Sequence, residues 1–190
     1  MDATNQAKTK SEIRNEIKER LSKQNKAQRL RKSRLIKEKL FKLAEFKRAN
    51  FVMFYWAKEE EVQTRFMISA AQKLGKKVLL PVILKGEKKI IASLIKDLNK
   101  ELTPGPYGVV QAHPKYIRKI PSRLIDLVVV PALAFDRGRR RLGRGGGYYD
   151  KFLASLSGDT VRIGLAFDFQ VLKKLPTLSH DISVMRVISA

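Results

Sequence analysis

"LIDLVVVPALAFDRGRRRLGRGGGYYDKFL", residues 124–153, decides the fold. Its opening, "LIDLVVVP" (124–131), is apolar apart from Asp126 and shows no polar alternation, as expected of a central strand buried on both faces of a parallel sheet. Beyond the glycines, Tyr149, Phe152, Leu153 and Leu156 recur at helical spacing, so the stretch reads as strand, glycine-rich loop, helix.

The same alternation continues outward. "FVMFYW" (51–56) reads as a strand, and Val62, Phe66, Ala70 and Leu74 predict a helix after it that Gly75 closes. "KVLLPV" (77–82) and "KKIIAS" (88–93) are strands about a turn-like "KGE", and "VRIGLAF" (161–167) and "VMRVIS" (184–189) add two more. Ahead of them, Ile13, Ile17 and Leu21, then Ile36, Leu40 and Leu43, mark two amphipathic helices with basic outer faces. Residues 96–122, broken by Pro104, Pro106, Pro114 and Pro121, read as a long irregular connection. The expected architecture is a Rossmann-like three-layer α/β/α fold with a mostly parallel central sheet. It forms a single domain over residues 1–190, with about the first eight residues loose.

A chain of 190 residues, 44% of them hydrophobic, can build one substantial core. The absence of cysteine excludes disulfides and thiolate metal sites and suits a reducing compartment. No apolar run reaches the length of a membrane span or forms a signal-peptide core, so a soluble cytoplasmic protein is expected. The net charge of +22 attracts polyanions such as RNA, anionic lipid, nucleotides or polyglutamylated small molecules, without choosing among them.

The chemistry concentrates in the loop. Gly143, Gly145, Gly146 and Gly147 let backbone N–H groups approach an anion at a helix start, while Arg141 and Arg144 offer planar forks to phosphate oxygens. Asp150, in the first helical turn, either complements the helix dipole or holds magnesium through water. Neither the dinucleotide glycine fingerprint nor the Walker A lysine motif is present. The competing reading is an RNA-binding module using this arginine–glycine loop and the basic N-terminal helices. It calls for a repeated, disordered tract, whereas "RGG" occurs once, at 144–146, between an apolar strand and an apolar helix. Because Tyr149 falls on the packing stripe, Tyr148 is the tyrosine expected to face a ligand. His113 and His180 are too isolated to argue for a metal or a catalytic base.

"PALAFD" (131–136) followed by "RLGRGGGYYD" (141–150) resembles the 5-formyltetrahydrofolate cyclo-ligase family, also called 5,10-methenyltetrahydrofolate synthetase. "KSEIR" (10–14), "EVQT" (61–64), "IGLAFDFQ" and "HDISV" fall in that family's order. The resemblance implies conversion of 5-formyltetrahydrofolate to 5,10-methenyltetrahydrofolate with ATP and magnesium, releasing ADP and phosphate through phosphorylation of the formyl oxygen. It implies that Lys10 and Arg14 reach ATP phosphates from the first helix. Arg141, Leu142, Gly143, Arg144, Gly145, Gly146, Gly147, Tyr148 and Tyr149 would form the nucleotide loop, with Arg144 and Tyr148 the catalytic groups. Glu61 would bind the pterin ring in a substrate pocket shared with Trp56 and Tyr148, and Asp150 and Asp181 would hold Mg2+. The implied enzyme is a monomer, and its charge suits the polyglutamate tail of cellular folates. Without the resemblance, Lys10 and Arg14 are solvated charges, Glu61 complements a helix start, Asp181 is a turn residue and Trp56 is packing. "QAHP" (111–114) lacks the acidic residue that the family often carries before this proline.

Overall fold

The computed structural model describes residues 8–84, 86–178 and 181–190, so the first seven residues, Lys85 of the "KGE" turn, and His180 lie outside it. Three helices open the chain: α1 (Lys10–Ser22), α2 (Lys26–Lys42) and α3 (Ala44–Arg48). They lead through β1 (Phe51–Met53) and α4 (Arg65–Lys73) to β2 (Lys77–Leu84) and β3 (Lys89–Leu94). Short strands β4 (Leu102–Pro104), β5 (Val110–Ala112) and β6 (Lys119–Ile120) precede β7 (Leu127–Val130). A hairpin of β8 (Ala134–Asp136) and β9 (Arg141–Leu142) leads to α5 (Tyr148–Ala154). The chain continues through β10 (Val161–Ala166), β11 (Val171–Leu172) and β12 (Arg186–Ser189).

Seven strands form the main sheet in the order β12-β10-β7-β1-β2-β3-β6, parallel from β12 to β2 and antiparallel where β3 joins β2 and β6. All four residues of β7 are fully buried between β10 and β1, as the unbroken apolar run predicts. Strand geometry sends alternate side chains to opposite faces. On one face Val52 and Val129 pack with Ile17 and Leu21 of α1, Ile36 and Leu40 of α2, and Ile68 of α4. On the other, Met53, Val128 and Val130 pack with Phe152 and Leu153 of α5. The three-layer arrangement follows.

The first helix starts where a capping box fixes it: the Thr9 hydroxyl accepts from the Glu12 N–H at 3.2 Å, and the Glu12 carboxylate accepts from the Thr9 N–H at 2.7 Å. This orients Lys10 and Arg14 in the first two turns. No described helix is long and apolar enough to cross a membrane.

Three expectations are corrected. Helix α4 begins at Arg65 and buries Met67, Ile68 and Ala71, while Phe66 and Ala70 are half-buried and Leu74 lies past the helix, exposed. Residues 57–64 are held as a loop: the Thr64 hydroxyl donates to the Tyr55 carbonyl at 2.5 Å and accepts from the Ala57 N–H at 3.1 Å. For the same reason β1 ends at Met53, short of the predicted 51–56. Residues 96–122 are not structureless; they contain the β4–β5 hairpin and the edge strand β6.

Candidate active site

Parallel strands leave a crevice beyond their carboxyl ends. Here it is a cavity of about 650 Å³. Tyr55 and Trp56 enter it just after β1, Pro131 and Ala132 just after β7, and Pro81, Ile83 and Ile90 give it an apolar wall. Lys10, Arg14 and Lys18 line it from α1, Lys58 and Glu61 from the loop before α4, and Leu178 and Asp181 from the segment before β12. Residues 141–150 form the remaining side. Every residue singled out for nucleotide, folate or metal therefore borders one space, although they lie as far apart in sequence as Lys10 and Asp181.

The glycine-rich segment needs its glycines. Gly145 at φ +105° and Gly147 at φ +69° occupy backbone conformations that side chains disfavour. The positive φ of the backbone, not crowding, sets this requirement; beside it the Arg14 guanidinium is anchored by its Nε donating to the Gly143 carbonyl at 2.9 Å. Among the described residues, the backbone N–H groups of Gly145, Gly146 and Gly147 have no backbone acceptor. The segment is an ordered passage from strand to helix, unlike a disordered RNA-binding tract.

Four ion pairs, made by three cations, cross the site among the described residues. Lys10 Nζ meets Asp181 Oδ2 at 2.5 Å, and Arg141 Nη2 meets Asp150 Oδ1 at 2.5 Å. Arg144 Nη2 meets Glu61 Oε1 at 2.5 Å and Glu60 Oε1 at 3.3 Å. Burial works against the Arg144 charge, but Glu61 and Glu60 more than offset it and hold the guanidinium above its ordinary pKa. The other Glu61 oxygen accepts from the Lys58 N–H at 2.9 Å.

Arg141 differs from Arg144 in being buried. Strand β9 pairs Arg141 with Phe135 of β8 and buries its side chain, which leaves Asp150 as its partner. Tyr149 is not simply a packing residue. Its ring lies edge-on to Phe152, yet it lines the cavity, and its buried hydroxyl has no hydrogen-bond partner among the described residues. Burial pushes this phenol well above the ordinary tyrosine range, so it stays protonated. The buried indole N–H of Trp56 also has no partner among the described residues, while its ring carries the Arg65 guanidinium 5.1 Å from its centroid.

Sequence reading missed Lys18, Lys58, Tyr55 and Tyr107 as lining residues. Lys18 was findable, one turn beyond Arg14 on the same helix. Tyr107, at φ +59° in the turn "PGPYG", places its hydroxyl 3.1 Å from that of Tyr148, and Lys58 Nζ donates to its carbonyl at 3.0 Å. Nothing in the sequence announces that contact.

Magnesium prefers oxygen ligands and keeps waters, using one or two carboxylates together with phosphate oxygens. Asp150 and Asp181 both border the cavity, and the Ile182 N–H, next to Asp181, points at Asp150 Oδ1 from 3.5 Å. Among the described residues no three His, Cys, Asp or Glu side chains converge. The donor set thus fits a magnesium ion that arrives with nucleotide rather than one caged by protein alone.

The profile of the 5-formyltetrahydrofolate cyclo-ligase family matches residues 6–190. The chain belongs to that family. It is 25% identical over 142 residues to the 5-formyltetrahydrofolate cyclo-ligase of Haemophilus influenzae, covering 74% of this chain and 76% of that one. It is 27% identical over 188 residues to a probable cyclo-ligase of Caenorhabditis elegans, covering 94% and 91%. The NMR structure of Aquifex aeolicus 5,10-methenyltetrahydrofolate synthetase superposes with a TM-score of 0.83 at 28% identity, over 95% of this chain and 89% of that one. Family membership and the shared fold make this chain an enzyme of that class.

Proposed function

We propose that the chain uses ATP and Mg2+ to convert 5-formyltetrahydrofolate into 5,10-methenyltetrahydrofolate. The formyl oxygen attacks the γ-phosphorus and ADP leaves; a second folate nitrogen then attacks the activated formyl carbon, and phosphate departs. The observation that carries this reading is the convergence of α1, the Glu61 loop, residues 141–150 and Asp181 on one cavity.

Lys10 and Arg14 bind the phosphates from α1, and the glycine-rich backbone offers its unpaired N–H groups to the same oxygens. Arg144 turns from Glu61 to the transferring phosphoryl group, where a charged donor counts most in a water-poor site. Glu61, released, accepts from the pterin ring, with Trp56 alongside. Tyr148 closes over the reacting end. Asp150 and Asp181 hold Mg2+, which when bound neutralises phosphate charge. Before substrates enter, each of these carboxylates is paired with one of the site's own cations, and Arg14, Lys18 and Lys58 leave the empty cavity net positive, which favours an incoming phosphate chain. The apolar wall of Pro81, Ile83 and Ile90 suits the aromatic body of folate, and the basic surface suits a polyglutamate tail. We place the enzyme in the cytoplasm as a single-domain monomer.

A spectrophotometric assay tests the reading: the methenylfolate chromophore should develop from 5-formyltetrahydrofolate only with both ATP and magnesium. Folded enzyme that yields no chromophore would reject it.

A further inference from the structure

The carboxylate of Asp136 lies outside the cavity yet touches two segments that build it. Its side chain is wholly buried at the end of β8. Oδ1 accepts from the Arg140 N–H at 2.9 Å; Oδ2 accepts from Arg140 Nε at 2.9 Å and from the Leu175 N–H at 3.0 Å. The first two bonds fold the tight turn from Asp136 to Arg140, which also carries Arg139 at φ +65° and delivers Arg141 into β9. The third reaches across to the segment that ends in Asp181.

This contact has company. The Arg137 N–H donates to the Leu172 carbonyl at 3.2 Å, the Val184 N–H to the Arg139 carbonyl at 3.0 Å, and Arg139 Nη1 to the Met185 carbonyl at 3.1 Å. The turn is thus stitched to residues on both sides of Asp181, and Asp136 supplies the only carboxylate in that seam among the described residues. A buried carboxylate is costly unless its lone pairs are filled, so this group enforces one arrangement of its partners.

We infer that Asp136 is a positioning residue for the nucleotide half of the site, fixing the glycine-rich segment and the Asp181 segment relative to each other. This rests on placing ATP at residues 141–150. Most of the folate wall, Trp56, Glu61, Ile83 and Ile90, is carried by other elements and only Tyr148 follows the glycine-rich segment, so folate binding should feel the loss far less. A merely structural role would weaken both substrates alike or neither.

Asp136→Asn keeps the volume, while its amide NH2 faces donors where Oδ2 accepted. KM for ATP is expected to rise about tenfold or more, together with the magnesium needed for half-maximal rate, while KM for 5-formyltetrahydrofolate changes less than about twofold. Arg140→Ala removes only the half-exposed side-chain bond, keeps both backbone bonds, and is expected to leave both KM values within about twofold. Equal changes in the two substrates, no change, or an Arg140→Ala effect matching that of Asp136→Asn would overturn the proposal. If Asp136→Asn does not fold, amide exchange on the unmodified chain decides. Saturating ATP with magnesium should slow exchange in residues 173–178 as well as 139–147, and protection confined to 139–147 overturns the link. Direct ATP titration of the unmodified chain separates this from a failure of the nucleotide assignment, in which no binding is seen at all.

Discussion

Two guanidinium–carboxylate pairs, Arg118 with Glu101 and Arg144 with Glu61, have similar distances and opposite surroundings. Arg118 meets both oxygens of Glu101, at 2.7 and 2.8 Å, and the Lys96 N–H adds a third donor at 2.9 Å. The Glu101 side chain is 7% exposed and borders no substrate space. Arg144 instead turns one nitrogen to two carboxylates and faces the cavity, with the rest of its fork unpaired among the described residues. A fork-on-fork pair is complete; a one-nitrogen pair can be exchanged for phosphate. On the proposed function, the first holds the fold and the second gives way to phosphate.

Breaking the exchangeable pair should give the largest effect. Arg144→Ala is expected to lower kcat/KM by roughly 10²–10³ without a comparable loss of stability, as removal of a transition-state donor does, read by methenylfolate formation and by denaturant unfolding. Glu61→Gln should raise KM for 5-formyltetrahydrofolate about tenfold, the loss of one charge-assisted hydrogen bond, with KM for ATP little changed.

The fixed pair should answer in the opposite currency. Arg118→Ala is expected to lower unfolding free energy measurably, read by denaturant unfolding, and leave turnover per folded molecule unaltered. Its pH dependence has a definite sign. The hydrogen bond from Arg118, foremost, holds the Glu101 pKa below the ordinary 4.5. A depressed carboxylate stabilises the fold fully above its unfolded pKa and loses that stabilisation as pH falls through the folded one. The stability gap between the native chain and Arg118→Ala should therefore be constant near neutrality and shrink on acidification below about 4.5. The smallest change belongs to Tyr107→Phe, which removes the exposed hydroxyl partner of Tyr148 and should move KM for folate by roughly twofold or less.

The contrast also explains what the sequence could and could not disclose. Strand β7 was legible because burial on both faces leaves no polar position, and α5 because Phe152 and Leu153 continue a helical period from Tyr149. The register of α4 was misread because Val62 and Leu74 fit a helical stripe although both lie outside the helix; the buried set, Met67, Ile68 and Ala71, has the same period one step on. Strands of two or three residues, such as β4, β5 and β9, are too short to carry any period, so the burial of Arg141 left no mark in the sequence. The family resemblance named the site's residues, but their pairing was hidden. Lys10 reaches Asp181 and Arg144 reaches Glu61 only because the sheet brings together segments remote in sequence, and a charge carries no local mark of its distant partner.

The sheet order bears on how the molecule is made. Its central rows, β1 and β7, align Val52 with Leu127, whereas β2 and β3 are joined by a short turn and align Leu84 with Lys89. Closing the long loop between the central rows sacrifices chain entropy that the local hairpin barely spends, so β2–β3 and the N-terminal helices assemble early and the middle of the sheet late. Until that last step, the apolar run 124–131 has no neighbours, and refolding yield should fall as protein concentration rises.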